Sequence, residues 1–296
     1  MTYGITGNTT KDQLWEPVAD LARWLHAEGI GVCLSADIAD GLEARGLGDA
    51  ARCAERSARD LAASVDVLLS FGGDGSLLRA AHASDDTSTP ILGVNMGRLG
   101  FLTKVEVQEL RDVIRRIEAG AYGVEDRMTL DVSVDGLDLA DRGLASWALN
   151  DVVVDKSGTT SMIAVEAFVD DAVLNTYWAD GLIVATPTGS TAYALSVGGP
   201  ILTPGTECIS VSPIAPHTLT ARPIVLPCAA ELRFHVSTRG HPVAFAVDGV
   251  STLLDADDIT VRIRRSAHAV RLLTLPDRDY FATIRDKLKW GQSGVF

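Results

Sequence analysis

Up to residue 122 the chain alternates between two hydrophobic rhythms. Residues 2–6, 30–34, 65–70 and 91–94 are short apolar runs, which predict strands; 65–70 is β-branched and leucine-rich and reads as buried. Between them the apolar positions recur every three or four residues. Leu14, Val18, Leu21 and Leu25 line one face of a helix expected over 11–28. Residues 76–83 carry good helix formers, with Ser76 able to cap, and Leu110, Val113, Ile114 and Ile117 mark a further helix. Strands alternating with helices imply a mostly parallel sheet covered by helices.

The rhythm changes near residues 122–123. Met128, Leu130, Val132 and Val134 alternate with Thr129, Asp131, Ser133 and Asp135. Ile163, Val165, Ala167 and Val169 alternate up to a turn at Asp170 and Asp171, and Ile259, Val261 and Ile263 alternate with Thr260, Arg262 and Arg264. Period two over many short segments predicts antiparallel sheets with one buried face. The tail returns to helix over 280–288, with Phe281, Ile284 and Leu288 on one side. The fold class expected is therefore α/β plus all-β. A Rossmann-like α/β domain covers 1–122 and takes back the tail, 272–296. An antiparallel β-sandwich domain covers 123–271. With no repeat, low-complexity stretch or long linker, the two are expected to pack closely and share a cleft.

Composition narrows the function. The chain has 296 residues, 47% of them hydrophobic, enough for a substantial core. No apolar run reaches the roughly 18 residues of a membrane span, and residues 1–7 lack the basic start and apolar core of a signal peptide. A cytoplasmic protein is expected. Cys33, Cys53, Cys208 and Cys228 form no CxxC pair and fit no zinc spacing, so they read as buried, reduced thiols. A net charge of −13 argues against a nucleic-acid or membrane binder, because phosphate backbones need a basic surface. The 28 Asp, 11 Glu, 21 Arg and 5 Lys give an acidic, lysine-poor surface that fits solubility in concentrated salt; high-GC coding bias accounts equally well for the excess of Arg over Lys.

The candidate chemistry starts at FGGDGSLLRA, residues 71–80. Asp74 falls at a strand-to-helix turn, where open α/β sheets bind ligands. The glycines permit close backbone approach, and successive turn amides form an anion-binding concavity. A carboxylate there can take a proton from a hydroxyl or help hold magnesium, which suits phosphoryl transfer. Read alone, GGDG is equally a plain turn with Asp74 as a cap. No GxxxxGK[ST] or strand-following GxGxxG competes. The segment 93–101, GVNMGRLGF, follows a neighbouring strand and would bring a second flexible loop to the same edge, with Phe101 free to pack on a ring. Farther on, residues 179–200 run a strand into a turn crowded with hydroxyls and then a short helix, a pocket suited to ribose, pyrophosphate or carboxamide. Asn150 can donate and accept, and Asp151 can grip vicinal hydroxyls.

Taken together, GGDG at 72–75, GVNMGRLGFLT at 93–103, LND at 149–151, DGLIVATPTGSTAYALSVGGPILTP at 180–204, PHTLTARP at 216–223 and the closing LKWGQSGVF resemble the NAD kinase family in order along nearly the whole chain. The resemblance implies an ATP-dependent kinase that phosphorylates the 2′-hydroxyl of the adenosine ribose of NAD to give NADP. Magnesium or another divalent metal would arrive with ATP, with no dedicated metal ligand. It implies Asp74 as the base and Gly72, Gly73 and Gly75 as the loop receiving donor phosphates. Asn150 and Asp151 would hold the adenosine portion, with Phe101 beside the adenine. Thr188, Thr191, Ala192, Tyr193 and Ser196 would line the site, and Asp180 would meet the other end of the dinucleotide, often across a subunit boundary. It further implies a homodimer or homotetramer, with Ala215 and His217 where a neighbouring subunit contributes. Three departures stand out: Asp151 replaces the family's usual glutamate, Trp178 stands where a polar residue is common, and the turn Asp248-Gly249-Val250 lacks the family's glutamine. Trp178 leaves the choice between NAD and NADH open. Lipid kinases share the glycine-aspartate turn, and a non-catalytic dinucleotide sensor is the rival of another class. The hydroxyl-rich segment disfavours the first, and Asp74 disfavours the second.

Overall fold

The computed structural model describes residues 1–50, 55–85, 87–98, 100–238, 240–255 and 258–289. Cys53 and most of the closing LKWGQSGVF segment lie outside the described residues. The chain divides into two compact units, one made of residues 1–126 and the chain from Arg271 onward, the other of residues 127–270.

The first unit runs β1 (Thr2–Gly7), α1 (Trp15–Ala27), β2 (Gly31–Ser35), α2 (Ala36–Glu43), β3 (Glu55–Arg56), α3 (Ala58–Ala63), β4 (Val67–Gly72), α4 (Asp74–Ser84), β5 (Ile91–Asn95), β6 (Val105–Glu106) and α5 (Leu110–Glu118). Its strands lie in the order β3-β2-β1-β4-β5, with β6 beside β5 and every pair parallel. Leu272 pairs in parallel with Ile91 at the other end of β5. The apolar stripes behave as their spacing requires: Leu14, Val18, Leu21, Leu25, Leu110, Val113, Ile114 and Ile117 are all buried in one core with Leu69, Phe71 and Val94. β4 is buried along its whole length, which explains its unbroken apolar run. The chain builds β1, β2 and β3 in one direction, then returns to place β4 and β5 on the other side of β1. The order therefore reverses between β1 and β4, the crevice position at which open α/β sheets hold ligands.

One detail of this unit differs from the sequence expectation. Helix α4 begins at Asp74, not Ser76, and Gly73 is its cap in extended backbone with no side-chain bond. Ser76 sits inside the helix, where its hydroxyl accepts from Arg79 Nη2 at 3.2 Å. A capping serine must precede the first turn, and the glycine pair already provides the bend.

The second unit contains β7 (Gly123–Val134, whose first residues belong to the first unit), β8 (Trp147–Ala148), β9 (Asp151–Lys156), β10 (Ile163–Val169), β11 (Ala172–Ala179), β12 (Gly181–Ala185), α6 (Tyr193–Ser196), β13 (Cys208–Ile214), β14 (Ile224–Pro227), β15 (Leu232–Ser237), β16 (Val243–Val247), β17 (Val250–Leu254) and β18 (Asp258–Thr274). One sheet has the order β14-β13-β12-β9-β16-β17 and is antiparallel throughout. The other runs β11-β10-β15-β18, with β7 beside β18 and β8 beside β7. Their facing sides share one core that includes Val152, Val154, Leu182 and Phe245 from the first sheet and Leu130, Val165, Phe234 and Val261 from the second. This is the expected sandwich. The first sheet carries a second, smaller apolar patch on its other face: Val153, Ile183, Ala185 and Ala194. Thr129 breaks the alternation expected along β7. It is buried, and its hydroxyl reaches the His268 carbonyl at 2.6 Å, so a strand-to-strand hydrogen bond supplies what water would on an exposed face.

The chain's last described helix, α7 (Tyr280–Leu288), belongs to the first unit and starts at Asp279, whose carboxylate accepts from the N–H groups of Phe281 and Ala282 at 3.0 and 3.2 Å. Among the described residues no helix is long and apolar enough to cross a membrane. Cys208 and Cys228 are buried free thiols, whereas Cys33 is only partly buried.

Candidate active site

Asp74 is the first residue of α4, at the carboxyl end of β4 and beside the strand-order reversal. Because β4 and β5 are parallel neighbours, the loop that follows β5 returns over the same end of the sheet. It closes on the Asp74 carboxylate. Oδ2 accepts from the Phe101 N–H at 2.8 Å. Oδ1 accepts from Leu102 N–H at 3.0 Å, Thr103 N–H at 3.1 Å and the Thr103 hydroxyl at 3.1 Å. A carboxylate offers about four lone-pair sites, two on each oxygen. Oδ1 is therefore saturated, and Oδ2 keeps one acceptor direction open.

The glycines around this carboxylate have separate reasons. At Gly72, φ is 151° and an added Cβ would lie 2.1 Å from the Ser76 hydroxyl, so no side chain fits. Gly100 lets the loop lie flat against Asp74. A Cβ at Gly73 or Gly75 would meet nothing within 4 Å, so the helix start faces open space where a ligand can approach the backbone. Phe101 is half-buried with the Lys287 ammonium 4.5 Å from its ring centroid.

In the second unit, Asn150 and Asp151 open β9, and their backbone is held from two sides. The Asp248 carboxylate accepts from Leu149 N–H at 2.7 Å through Oδ2, and from Asn150 and Asp151 N–H at 2.7 and 3.1 Å through Oδ1. From the other side, Thr186 donates its hydroxyl to the Leu149 carbonyl at 2.5 Å and its N–H to the Asn150 carbonyl at 2.9 Å. With the backbone so engaged, the two side chains are left for other work. Asn150 Oδ1 is buried without a hydrogen-bond partner, an acceptor that a ligand donor would satisfy. Asp151 is 5% exposed, and burial first, then the Asp248 charge, push its carboxyl up to about 7, against an opposing pull from the Tyr193 N–H.

Asp151, Val153 and Asp155 share one face of β9 by strand alternation, on the side of the smaller apolar patch that includes Ala194. Tyr193 opens α6 and is 42% exposed. Its phenol is pushed upward by burial, then by Asp155, Asp151 and Asp180, so an acidic surround lies about the ring. Burial likewise raises the Asp155 carboxyl. Asp180 links β11 to β12 and pairs with Lys156 at 2.7 Å.

The hydroxyls of 186–196 also make bonds within the protein. Ser190 donates to the Pro187 carbonyl at 2.7 Å, Thr191 to the Thr188 carbonyl at 3.2 Å, and Ser196 to the Tyr193 carbonyl at 2.8 Å. Thr188 is buried and meets Arg127 Nη1 at 3.5 Å. Most of these hydroxyls pin their own turn, and Tyr193 is the exposed large side chain beside them. Ala192, between the 3-10 turn and α6, has φ −98° and ψ −129°, which turns the chain there.

Arg127 gave no signal in the sequence, and Thr103, Gly100, Thr186 and Gly189 stood only within quoted motifs, with no role of their own. A Cβ on Gly189 would sit 2.0 Å from the Asn150 carbonyl oxygen, so this glycine admits the Asn150 backbone. Only its place in TPTGST gave a signal. Among the described residues no group of three or more His, Cys, Asp or Glu side chains could hold a metal.

Residues 3–122 match the ATP-NAD kinase N-terminal domain and residues 149–275 the ATP-NAD kinase C-terminal domain. An NAD kinase of Moorella thermoacetica is 40% identical over 291 residues, covering 98% of this chain and 90% of that protein. One from Geobacter metallireducens is 43% identical over 229 residues, 77% of this chain and 80% of the other. The crystal structure of yeast NADH kinase complexed with NADH superposes with a TM-score of 0.87 at 25% identity, covering 99% of this chain and 89% of that one. The chain belongs to the ATP-NAD kinase family of enzymes.

Proposed function

We propose that the protein transfers the γ-phosphoryl group of ATP to the 2′-hydroxyl of the adenosine ribose of NAD, giving NADP and ADP. The observation that carries this reading is the Asp74 carboxylate, held by the loop at 101–103 with one direction of Oδ2 left open. In the proposed step Oδ2 accepts the proton of the ribose hydroxyl as its oxygen bonds to the γ-phosphorus and the bond to ADP breaks. The backbone at Gly72, Gly73 and Gly75 receives the donor phosphates, where the space beside Gly73 and Gly75 is open. A magnesium ion bound to the triphosphate supplies charge neutralisation.

Asn150, through its unpartnered Oδ1, and Asp151 hold the adenosine portion of NAD. Asp151 is one methylene shorter than the family's glutamate, so its grip on vicinal hydroxyls depends on where the backbone puts it. Phe101 lies beside the adenine, and Tyr193, with Thr188, Thr191, Ala192 and Ser196, completes the lining. Asp180 meets the far end of the dinucleotide. Self-association as a dimer or tetramer belongs to the same proposal and is read by sedimentation.

NADH is a second reading for the acceptor. It is favoured by the likeness to a kinase solved with NADH and by Trp178, whose neutral indole is 44% exposed two residues before Asp180. The test is purified protein with ATP and magnesium, offered NAD and NADH separately at low and high salt. NADP formation carries the first reading and NADPH formation the second. Phosphorylation of a lipid and not of either dinucleotide overturns both, as does dinucleotide binding without turnover.

A further inference from the structure

Asp248 and Gly249 form a two-residue turn between β16 and β17, with φ of 48° and 81° and Val247 paired to Val250. Asp-Gly with both φ positive is a common type I′ hairpin, and that alone accounts for the residue types. It does not account for the carboxylate. A hairpin turn has no need of a side chain that reaches 97 to 99 residues back along the chain to take three consecutive N–H groups. The Asp248 N–H also donates to the Asp151 carbonyl at 3.0 Å, so the contact is reciprocal.

Resting on the function proposed above, we infer that Asp248 is a positioning residue for the dinucleotide: its carboxylate fixes the backbone of 149–151 so that the Asn150 amide and the Asp151 carboxylate are presented ready-placed. Pre-organisation of this kind lowers the ordering cost of binding and leaves the chemical step alone. The Asp248 charge also opposes ionisation of Asp151, which gives the arrangement a titratable signature. Among charged groups, Asp248 from the β16–β17 turn is the one acting on Asp151, and the Tyr193 N–H from α6 acts the opposite way.

Two variants keep the hairpin while altering the clasp. Asp248→Asn leaves an Asn-Gly turn, a preferred type I′ pair, but removes the charge and one acceptor. Asp248→Gly keeps a permissive turn and removes the acceptor altogether. Both are compared with the wild type by calorimetric titration with NAD alone and by steady-state kinetics with ATP and magnesium, across pH 5–9. The expected result is cooperative melting in both variants, with the NAD dissociation constant and KM raised about tenfold or more, as loss of hydrogen bonds to a charged acceptor implies. The kcat stays within about threefold, as uniform binding loss requires. The acid limb of NAD affinity moves to lower pH in both, because the opposing charge is gone. Wild-type affinity and pH profile in both variants overturn the inference, as does a fall in kcat with unchanged NAD affinity. A wild-type protein that binds NAD without turning it over overturns the kinase reading alone, since the titration still reads Asp248.

Discussion

A β-carbon on Gly100 would lie 1.9 Å from Oδ1 of Asp74, a distance no real structure tolerates. The loop at 101–103 donates four hydrogen bonds to that carboxylate only because Gly100 has no side chain. Gly100→Ala must push the loop away, unclasp Asp74 and free its carboxylate to rotate. Turnover with ATP and NAD is expected to fall by ~10²-fold, the scale on which small misplacements of a reacting group act. NAD affinity, read by calorimetry, is expected to fall as well, because Phe101, proposed to lie beside the adenine, moves with the loop. Wild-type turnover by Gly100→Ala would count against the clasp as a positioning device.

Replacing the proposed base itself gives a sharper loss. Asp74→Asn keeps an acceptor for part of the loop but cannot take a proton. A fall of ~10²–10⁴ in kcat is expected, with NAD binding largely retained. Single-turnover kinetics with saturating ATP measure it, and a kcat within a few-fold of wild type removes Asp74 as base.

Asp151 makes both stability and binding depend on pH. Its native pKa is raised from 3.8 to about 7. The native state therefore holds a proton between pH ~4 and ~7 that the unfolded chain has released. The contribution to stability is full below pH ~4 and is lost as pH rises through about 7, by an amount on the order of a few kcal/mol. Asp151→Asn is expected to flatten the decline in denaturant midpoint over that window. NAD affinity is expected to run the other way and strengthen as pH rises through 7, because gripping hydroxyls favours the ionised carboxylate. An unchanged pH slope of stability in Asp151→Asn would contradict the assignment.

Gly189 tests packing beneath the Asn150 turn. Its Cβ would meet backbone, the Asn150 carbonyl oxygen at 2.0 Å and carbon at 2.4 Å, and backbone cannot rotate aside. Gly189→Ala is expected to cost about 1–3 kcal/mol in urea unfolding and to raise the NAD KM. Full stability with unchanged KM would show that the turn can shift freely.

The sequence by itself determined much about this protein. The stripe Leu14, Val18, Leu21 and Leu25 could bury itself only as a helix, and Ile163, Val165 and Ala167 only as a strand with one inward face. Those periods set the α/β unit and the sandwich, since burial of apolar area dominates both. The GGDG turn and the 180–204 segment were legible because some of their backbone positions, such as Gly72 and Gly189, accept only glycine. The partners of the two carboxylates were not. Asp74 finds its donors 27 to 29 residues away, and Asp248 finds its own 97 to 99 residues away. A hydrogen bond needs its atoms placed to within a few tenths of an ångström. At such separations that placement follows from the register of packed strands, which residue order alone does not state. The same holds for Thr191 and Ser196, whose hydroxyls donate within their own turn, and for Thr188, whose hydroxyl meets Arg127 from 61 residues away. Local pattern decided which elements form; tertiary packing decided what each polar group faces.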